Sequence, residues 1–318
     1  MAGISKEDGN GSGRYGGTFK RIRNIMHIPV LQKEIIEYLN PKSNENFIDA
    51  TIGEAGHAAT IFEKNKPNGK VLGIEIDSEL YRKLMSRMTE FSKRLILINN
   101  SYANLKEIVK KEKFGPVNGI LFDLGMSTWH LEESGKGFTF KKDELLDMRY
   151  DRSSKLTAGE IINQWPEKII ERILKEYGEE RFAKSIAAKI TEQRKIKHIK
   201  TTFQLKGIIE KATPVWYQHQ RLHFATRTFQ ALRIAVNDEL KNLEQVLPQI
   251  LEVLEKGARI VIISFHSLED RIVKNFFREN QKKGRLQILF KKPLIPCLEE
   301  IEKNPKARSA KLRAAITI

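Results

Sequence analysis

The sequence is poor in cysteine and in long apolar segments. Its 318 residues include one cysteine, Cys297, so it can form no intrachain disulfide and no zinc site rich in cysteine. No apolar run approaches the ~20 residues that span a bilayer, and no segment has the form of a signal peptide. We therefore expect a protein of the reducing cytoplasm with no membrane partner.

Acidic residues are fewer than basic ones. The chain has 56 Lys+Arg against 40 Asp+Glu, a formal net charge of +16 and a pI of about 9.7. Such an excess favours polyanionic partners, because each phosphate that a basic side chain neutralises releases counterions. Residues 1–25 are rich in glycine, serine and basic residues, and we expect a disordered basic arm there.

Short apolar runs alternate with amphipathic helices from Met26 onward, which is typical of an α/β fold with a parallel sheet. After Gly125 the pattern becomes helical and stays so until a buried strand returns near Ala258. We predict one sheet domain, residues 26–126 and 237–318, interrupted by an all-helical insertion, residues 127–236. The predicted strands are 47–51, 70–76, 95–98, 119–123 and 258–264, and the predicted helices include 58–64, 78–91, 104–113, 161–177, 180–194, 203–212 and 238–255.

A glycine-bearing turn joins the first predicted strand to the first helix after it. The segment Asp49–His57 reads Asp-Ala-Thr-Ile-Gly-Glu-Ala-Gly-His, and Glu75 follows Gly53 by 22 residues, a spacing typical of the carboxylate that binds the ribose of an adenosine cofactor. Asp77 is two residues further on and lies on the same side of a strand. Spacing alone therefore leaves both carboxylates as candidates.

The same turn lacks the Gly-x-Gly-x-x-Gly pattern of dinucleotide sites. Its central residue, Glu54, would repel a pyrophosphate. S-adenosylmethionine carries an ammonium and a sulfonium instead of phosphate, so a nearby acid such as Asp49 would attract it. The charge favours S-adenosylmethionine over a nicotinamide cofactor.

Asp123 ends the fourth predicted strand, in Phe122-Asp-Leu-Gly125. Open α/β sheets bind ligands at the carboxyl ends of their strands, so Asp123 is a candidate site residue. An acid that only caps the following loop would have the same position.

Nine motifs occur in the order that is characteristic of one family. They resemble the RsmH/MraW family of bacterial enzymes, which methylate the N4 amine of a cytidine in the decoding region of small-subunit ribosomal RNA. The motifs span Met26 to the C-terminus, and they are His27–Leu31, Asp49–His57, Phe122–Gly125, Gly137-Phe138, Leu146–Arg149, Tyr177–Ala183, Ala225–Ala231, Ile263–Arg271 and Asn304–Ser309.

The resemblance implies a class I, Rossmann-like S-adenosylmethionine-dependent methyltransferase with a helical substrate-recognition insertion. The family usually has glycine at position 55, aspartate at 75 and glutamine at 130, so this chain differs there. Histidine can donate and accept a hydrogen bond as glutamine does, but with another geometry. The cofactor contacts that the resemblance implies are Ala55, Gly56, His57, Glu75, Tyr102, Asp123 and His130.

The N4 amine of cytosine is a poor nucleophile, and the loop after the fourth strand is where groups that assist it are expected. The N4 lone pair is delocalised into the ring, so the enzyme must hold the flipped base and offer a hydrogen-bond acceptor to the amine. Amino-methyltransferases commonly carry an Asp/Asn-Pro-Pro-aromatic motif here, whereas this chain has Asp123-Leu-Gly-Met-Ser127. The acceptor would then be Asp123 or a loop carbonyl, and we predict that Asp123 is the catalytic residue and supports both the cofactor and the target amine.

The segment from Lys211 to Asn237 contains no acid and mixes arginines and histidines with aromatic residues. Single-stranded RNA is bound by such surfaces, since bases stack on aromatic rings and cations contact phosphates. We predict Arg227 and Arg233 as RNA contacts, with small-subunit ribosomal RNA or the small subunit as partner. A homodimer is among the assemblies that the sequence leaves open.

The motif after the last predicted strand contains serine, histidine and acid without the Gly-x-Ser-x-Gly turn of hydrolases. We predict that Ser267 and Asp270 form a capping box on a helix through Phe277, and that His266 is either structural or directed at the site. Two other functions stay open: a non-catalytic RNA-binding assembly factor on the same fold, and a nicotinamide oxidoreductase.

Overall fold

The computed structural model describes residues 29–87 and 93–318. The predicted basic arm, residues 1–25, lies outside the described residues. The first half contains α1 (Gln32–Leu39), β1 (Phe47–Asp49), α2 (Gly56–Lys64), β2 (Val71–Glu75), α3 (Ser78–Arg87), β3 (Leu95–Asn99), a 3-10 turn (Tyr102–Asn104), α4 (Leu105–Lys111), β4 (Gly119–Asp123) and α5 (Thr128–Glu132).

The rest of the chain is helical before the sheet resumes. It contains α6 (Ala158–Gln164), α7 (Glu167–Gly178), α8 (Ala183–Ile196), α9 (Thr202–Ala212), α10 (Val215–Gln218), α11 (Thr226–Asn237), α12 (Glu239–Val253), β5 (Arg259–Ser264), α13 (Ser267–Lys282), β6 (Leu286–Ile288), α14 (Leu298–Lys303), a 3-10 turn (Pro305–Ser309) and β7 (Lys311–Thr317).

The sheet has seven strands in the order β3-β2-β1-β4-β5-β7-β6. Strands β1 to β5 are parallel, as predicted, and β7 pairs antiparallel with β5 and β6. Sequence analysis missed β6 and β7, because β6 has three residues and β7 carries Arg313 in its interior. Arg313 is tolerated there because its guanidinium donates to Asp270 at 2.7 Å.

Apolar side chains fill both faces of this sheet. Neighbouring strand residues point to opposite faces, so Phe47 packs in one buried cluster with α1 and α2, and Ile48 packs in the other with α4 and α12. A third buried cluster joins residues between Phe138 and Val236. The sheet and the helices between Phe138 and Val236 therefore have separate buried clusters, and the division at residues 127 and 236 stays a prediction.

The predicted single helix over 161–177 is wrong. Two helices, α6 and α7, occupy this stretch and are separated at Trp165 and Pro166. The residue before a proline is driven out of the helical region by the proline ring, and Trp165 has an extended backbone with φ −73° and ψ 149°.

The predicted capping box of α13 is displaced by one residue. His266, not Ser267, is the N-cap: its Nδ1 accepts the N–H of Glu269, and the Glu269 carboxylate accepts the N–H of His266. The i, i+3 spacing fits both pairs, so the sequence could not separate them. Asp270 instead pairs with Arg313.

Within residues 29–87 and 93–318, no helix is long and apolar enough to cross a membrane.

Candidate active site

A cavity of about 720 Å³ opens at the carboxyl ends of the parallel strands. Loops that follow different strands contribute to its wall, including Gly53 after β1, Glu75 at the end of β2, Tyr102 after β3, Asp123 at the end of β4 and Phe265 after β5. This is where open α/β sheets place their ligands. Predicted site residues that are far apart in sequence thus share one cavity.

The glycine turn forms one wall of this cavity. Gly53 and Ala55 both adopt positive φ, at 50° and 65°, and reverse the chain into α2. Gly53, Gly56 and His57 line the cavity. Ala55 is fully buried and does not, while its backbone N–H donates to Ile52 at 2.7 Å. The structure therefore places Ala55 behind the turn, where it does not support the predicted cofactor contact.

Two buried carboxyl groups lie beside the turn. Burial raises the pKa of Glu75 to about 8, although its hydrogen bond from the Asp77 N–H at 2.8 Å opposes this shift. Burial likewise raises the pKa of Asp49 to about 7. A cationic ligand would favour the ionised form of both groups. This charge preference matches a ligand with an ammonium and a sulfonium.

The structure separates the two ribose candidates. Glu75 lines the cavity, whereas Asp77 does not and is fully buried. Asp77 accepts from Lys136 at 2.6 Å and lies 3.2 Å from His130 Nε2. Burial alone would raise the pKa of Asp77, but these hydrogen bonds outweigh it and lower the pKa to about 2. Asp77 is thus committed to an internal ion pair.

His130 lines the cavity but both of its ring nitrogens have protein partners. Nε2 faces Asp77, and Nδ1 lies 2.8 Å from the Ser127 hydroxyl. Burial lowers its pKa although Asp77 opposes this. Both ring nitrogens are thus engaged within the protein.

Asp123, the last residue of β4, lines the cavity and its carboxylate is partly exposed. Its side chain is 24% exposed, and Oδ2 lies 3.4 Å from His57 Nε2. Its backbone N–H donates to the Thr51 hydroxyl at 2.6 Å, which ties the end of β4 to the end of β1. The two His57 ring nitrogens are buried and form no hydrogen bond among the described residues. Asp123 is therefore the group of this pair that is exposed to ligands.

A second polar cluster on the far side of the cavity was not predicted from the sequence. Glu239, His266 and Glu269 place one ligand atom each within 4.8 Å of one another, a size that could hold a cation. However, Arg233 already binds both Glu239 oxygens, at 2.7 and 2.8 Å, and Glu269 caps α13. Internal hydrogen bonds thus engage Glu239 and Glu269, whereas His266 Nε2 lies 3.1 Å from a Glu269 oxygen without forming a hydrogen bond.

This pairing gives Arg233 a structural position. Its side chain is 12% exposed, and although burial lowers its pKa, the charge of Glu239 raises it further. The placement does not support the predicted contact between Arg233 and RNA. The sequence did not predict this ion pair. Side chains three or four residues apart are neighbours on a helix, whereas Arg233 and Glu239 are six residues apart and lie on α11 and α12.

Arg227 lies at the junction of α7, α11 and α13. Its guanidinium donates to the backbone carbonyl of Glu179, and the Glu179 carboxylate accepts from Arg271 at 3.0 Å. Nearby, Arg181 lies 5.3 Å above the ring of Trp216, which is 50% exposed. This exposed pair resembles an RNA-stacking surface, and sequence analysis missed Arg181 because two acids precede it.

Comparisons with known proteins identify the family. The MraW methylase family matches residues 24–318. Relatives named "Ribosomal RNA small subunit methyltransferase H" include one from Sulfurihydrogenibium sp., 44% identical over 91% of this chain and 98% of the relative. One from Thermotoga neapolitana is 46% identical over 91% of this chain and 95% of the relative. The chain therefore belongs to the MraW methylase family, and it is an S-adenosylmethionine-dependent methyltransferase of the class I fold.

Proposed function

We propose that the protein methylates the N4 amine of one cytidine in the decoding region of small-subunit ribosomal RNA, in the cytoplasm. The observation that carries the proposal is the open Asp123 carboxylate at the end of β4, in the same cavity as the glycine turn and Glu75. The names of the relatives support ribosomal RNA as the substrate.

The residues at the turn fit the methyl donor. When bound, S-adenosylmethionine supplies an electrophilic methyl group on a sulfonium. Glu75 accepts the ribose hydroxyls, and Asp49 attracts the positive charges, because ionisation of both groups becomes favourable beside a cation. His57 lies at the wall of the same cavity, with Nε2 3.4 Å from Asp123 Oδ2. Tyr102 also lines the cavity, and in this proposal it contacts the adenine.

Asp123 acts on the target amine. Its carboxylate accepts a hydrogen bond from N4, which keeps more of the lone pair on nitrogen. Bound S-adenosylmethionine would supply the methyl group to N4, and Asp123 or water would accept the proton that N4 loses. The protein must hold the base out of its stack, because the amine cannot otherwise reach the cavity.

The insertion supplies the RNA-binding surface in this proposal. Arg227, Arg181 and the exposed ring of Trp216 lie on it, and stacking plus phosphate contacts would hold single-stranded RNA next to the cavity. Arg233 acts indirectly, by fixing Glu239 at the cavity wall.

A labelling experiment tests the function. The protein is incubated with S-adenosylmethionine labelled in the methyl group and with small subunits that lack the modification, and the nucleosides are separated by mass spectrometry. We expect label in N4-methylcytidine at a single position. Label in another nucleoside would show that the substrate is misassigned. Stable binding to the subunit without any label would instead show a non-catalytic assembly factor.

A further inference from the structure

The loop after β4 brings no aromatic residue to the cavity, and a ring from the neighbouring strand lies there. Strands β4 and β5 pair in parallel with Asp123 opposite Ile263. Gly125 and Phe265 each follow two residues later, and both line the cavity. A Cβ atom on Gly125 would lie 2.6 Å from the Phe265 ring. Only glycine therefore lets this ring approach the loop beside Asp123.

The other two large rings at the cavity wall are engaged elsewhere. Tyr150 stacks on Phe138 with ring centroids 5.0 Å apart, and Tyr102 meets Phe122 edge-on at 5.7 Å. No ring contact of Phe265 occurs among the described residues, and its side chain is only partly buried. Phe265 therefore has ring surface available beside Asp123.

We propose that Phe265 is the stacking surface for the flipped nucleobase, an inference that rests on the proposed function. A cytosine placed against this ring would present its N4 amine to Asp123, because Asp123 ends β4 and Phe265 follows the end of the neighbouring strand β5. Stacking binds any base by its π-face, so Phe265 supplies affinity and orientation, while Asp123 selects the exocyclic amine. Other amino-methyltransferases commonly carry the aromatic residue of the Asp/Asn-Pro-Pro-aromatic motif in the loop after β4. In this chain Phe265, which follows β5, would take its place.

Glu269 fixes the position of this ring. Its carboxylate accepts the backbone N–H of Phe265 at 2.8 Å and, more weakly, that of His266 at 3.4 Å. The capping box of α13 thus holds the chain that carries Phe265. Glu269 is a positioning residue, because it acts on the base through Phe265.

Substitution of Phe265 provides the first test. We expect Phe265→Leu to lower kcat/KM for the small subunit about five- to hundredfold, since one stacked base contributes an affinity of that order, while the Kd for S-adenosylmethionine stays unchanged. Phe265→Tyr, which keeps the ring, should restore most of the loss. Phe276→Leu makes the same change at a partly buried phenylalanine outside the cavity wall and should behave as wild type.

Retained kcat/KM in Phe265→Leu would overturn the assignment, as would equal losses in the leucine and tyrosine variants. Absence of methylation by the wild-type protein would instead contradict the proposed function itself.

Photo-crosslinking of the unmodified protein gives a second test that does not depend on variant folding. Small subunits with 5-iodocytidine at the target position are irradiated with the protein, and the linked peptide is identified by mass spectrometry. We expect the crosslink at Phe265, because this probe joins to aromatic rings stacked on it. A crosslink at Tyr102 or Tyr150 would show that another ring holds the base.

Discussion

At the scale of single residues, carboxyl groups near the cavity have opposite pKa shifts. Burial raises the pKa values of Glu75 and Asp49 to about 8 and about 7, although the neighbouring His57 opposes the shift of Asp49. Asp77 is also buried, but Lys136 and His130 lower its pKa to about 2. The groups with raised values are those that a cationic cofactor would stabilise, and the group with the lowered value has an internal cation.

Glu75→Gln tests this arrangement through pH. The folded-state pKa of Glu75 lies above its ordinary value of 4.5, so the folded protein binds more protons and loses stability as pH rises between those values. We expect the Tm of the cofactor-free variant to exceed that of wild type increasingly from about pH 5 to about pH 9. Its Kd for S-adenosylmethionine should rise about tenfold or more. Parallel Tm curves would show that Glu75 is already ionised in the folded protein.

Asp123→Asn tests the acceptor of the target amine. Loss of a hydrogen bond to a charged group should lower kcat about 10- to 150-fold, with a smaller effect on the Kd for S-adenosylmethionine than Glu75→Gln has. Single-turnover methylation and calorimetry of cofactor binding separate the two quantities. Normal methylation together with unchanged cofactor affinity would mean that Asp123 is only a loop-capping acid.

At the scale of elements, a buried ion pair joins the sheet domain to the insertion. Lys136 is 2% exposed, yet its ammonium reaches Asp77 between β2 and α3 and lies 5.3 Å over the ring of Trp129. Such a pair is strongly coupled, because removal of one partner leaves the other charge buried. Lys136, together with His130, thus connects the segment that follows Glu75 to the insertion.

Lys136→Met should destabilise the fold by about 3–5 kcal/mol, since Asp77 would be left without its main cation. Chemical denaturation measures this change. The double variant Lys136→Met with Asp77→Asn removes both charges and should recover most of the loss. If the single variant unfolds at the wild-type denaturant concentration, the pair does not hold the two parts together.

At the scale of the whole molecule, the formal net charge of +16 should dominate RNA association. Binding to single-stranded RNA weakens with salt in proportion to the number of phosphates contacted. If Arg227 contacts one phosphate, Arg227→Gln should reduce the slope of log K against log salt by about 0.7. Lys110→Gln removes an equal charge from an exposed position on α4, outside the cavity wall, and should leave the slope unchanged. Filter binding over a salt series compares the slopes.

The parts of the fold that follow local patterns could be predicted. The five parallel strands were found from short apolar runs, since strands buried on both faces need apolar residues throughout. Strands β6 and β7 and the break at Pro166 were not found. Strand β6 is short and Arg313 interrupts the apolar residues of β7, while the helical period continues across the proline.

By itself, the sequence determined the class of fold and the family and pointed to several residues that line the cavity, because periodicity and ordered motifs are local properties. Only the tertiary structure decided what each charged side chain does. Glu75 and Asp77 are equivalent by spacing, yet burial beside Lys136 assigns Asp77 to an ion pair and leaves Glu75 to the cavity. Arg233 reads as an RNA contact until Glu239 is found against it. The free energy of a charge depends on its partners and its exposure to water, and neighbours distant in sequence set both.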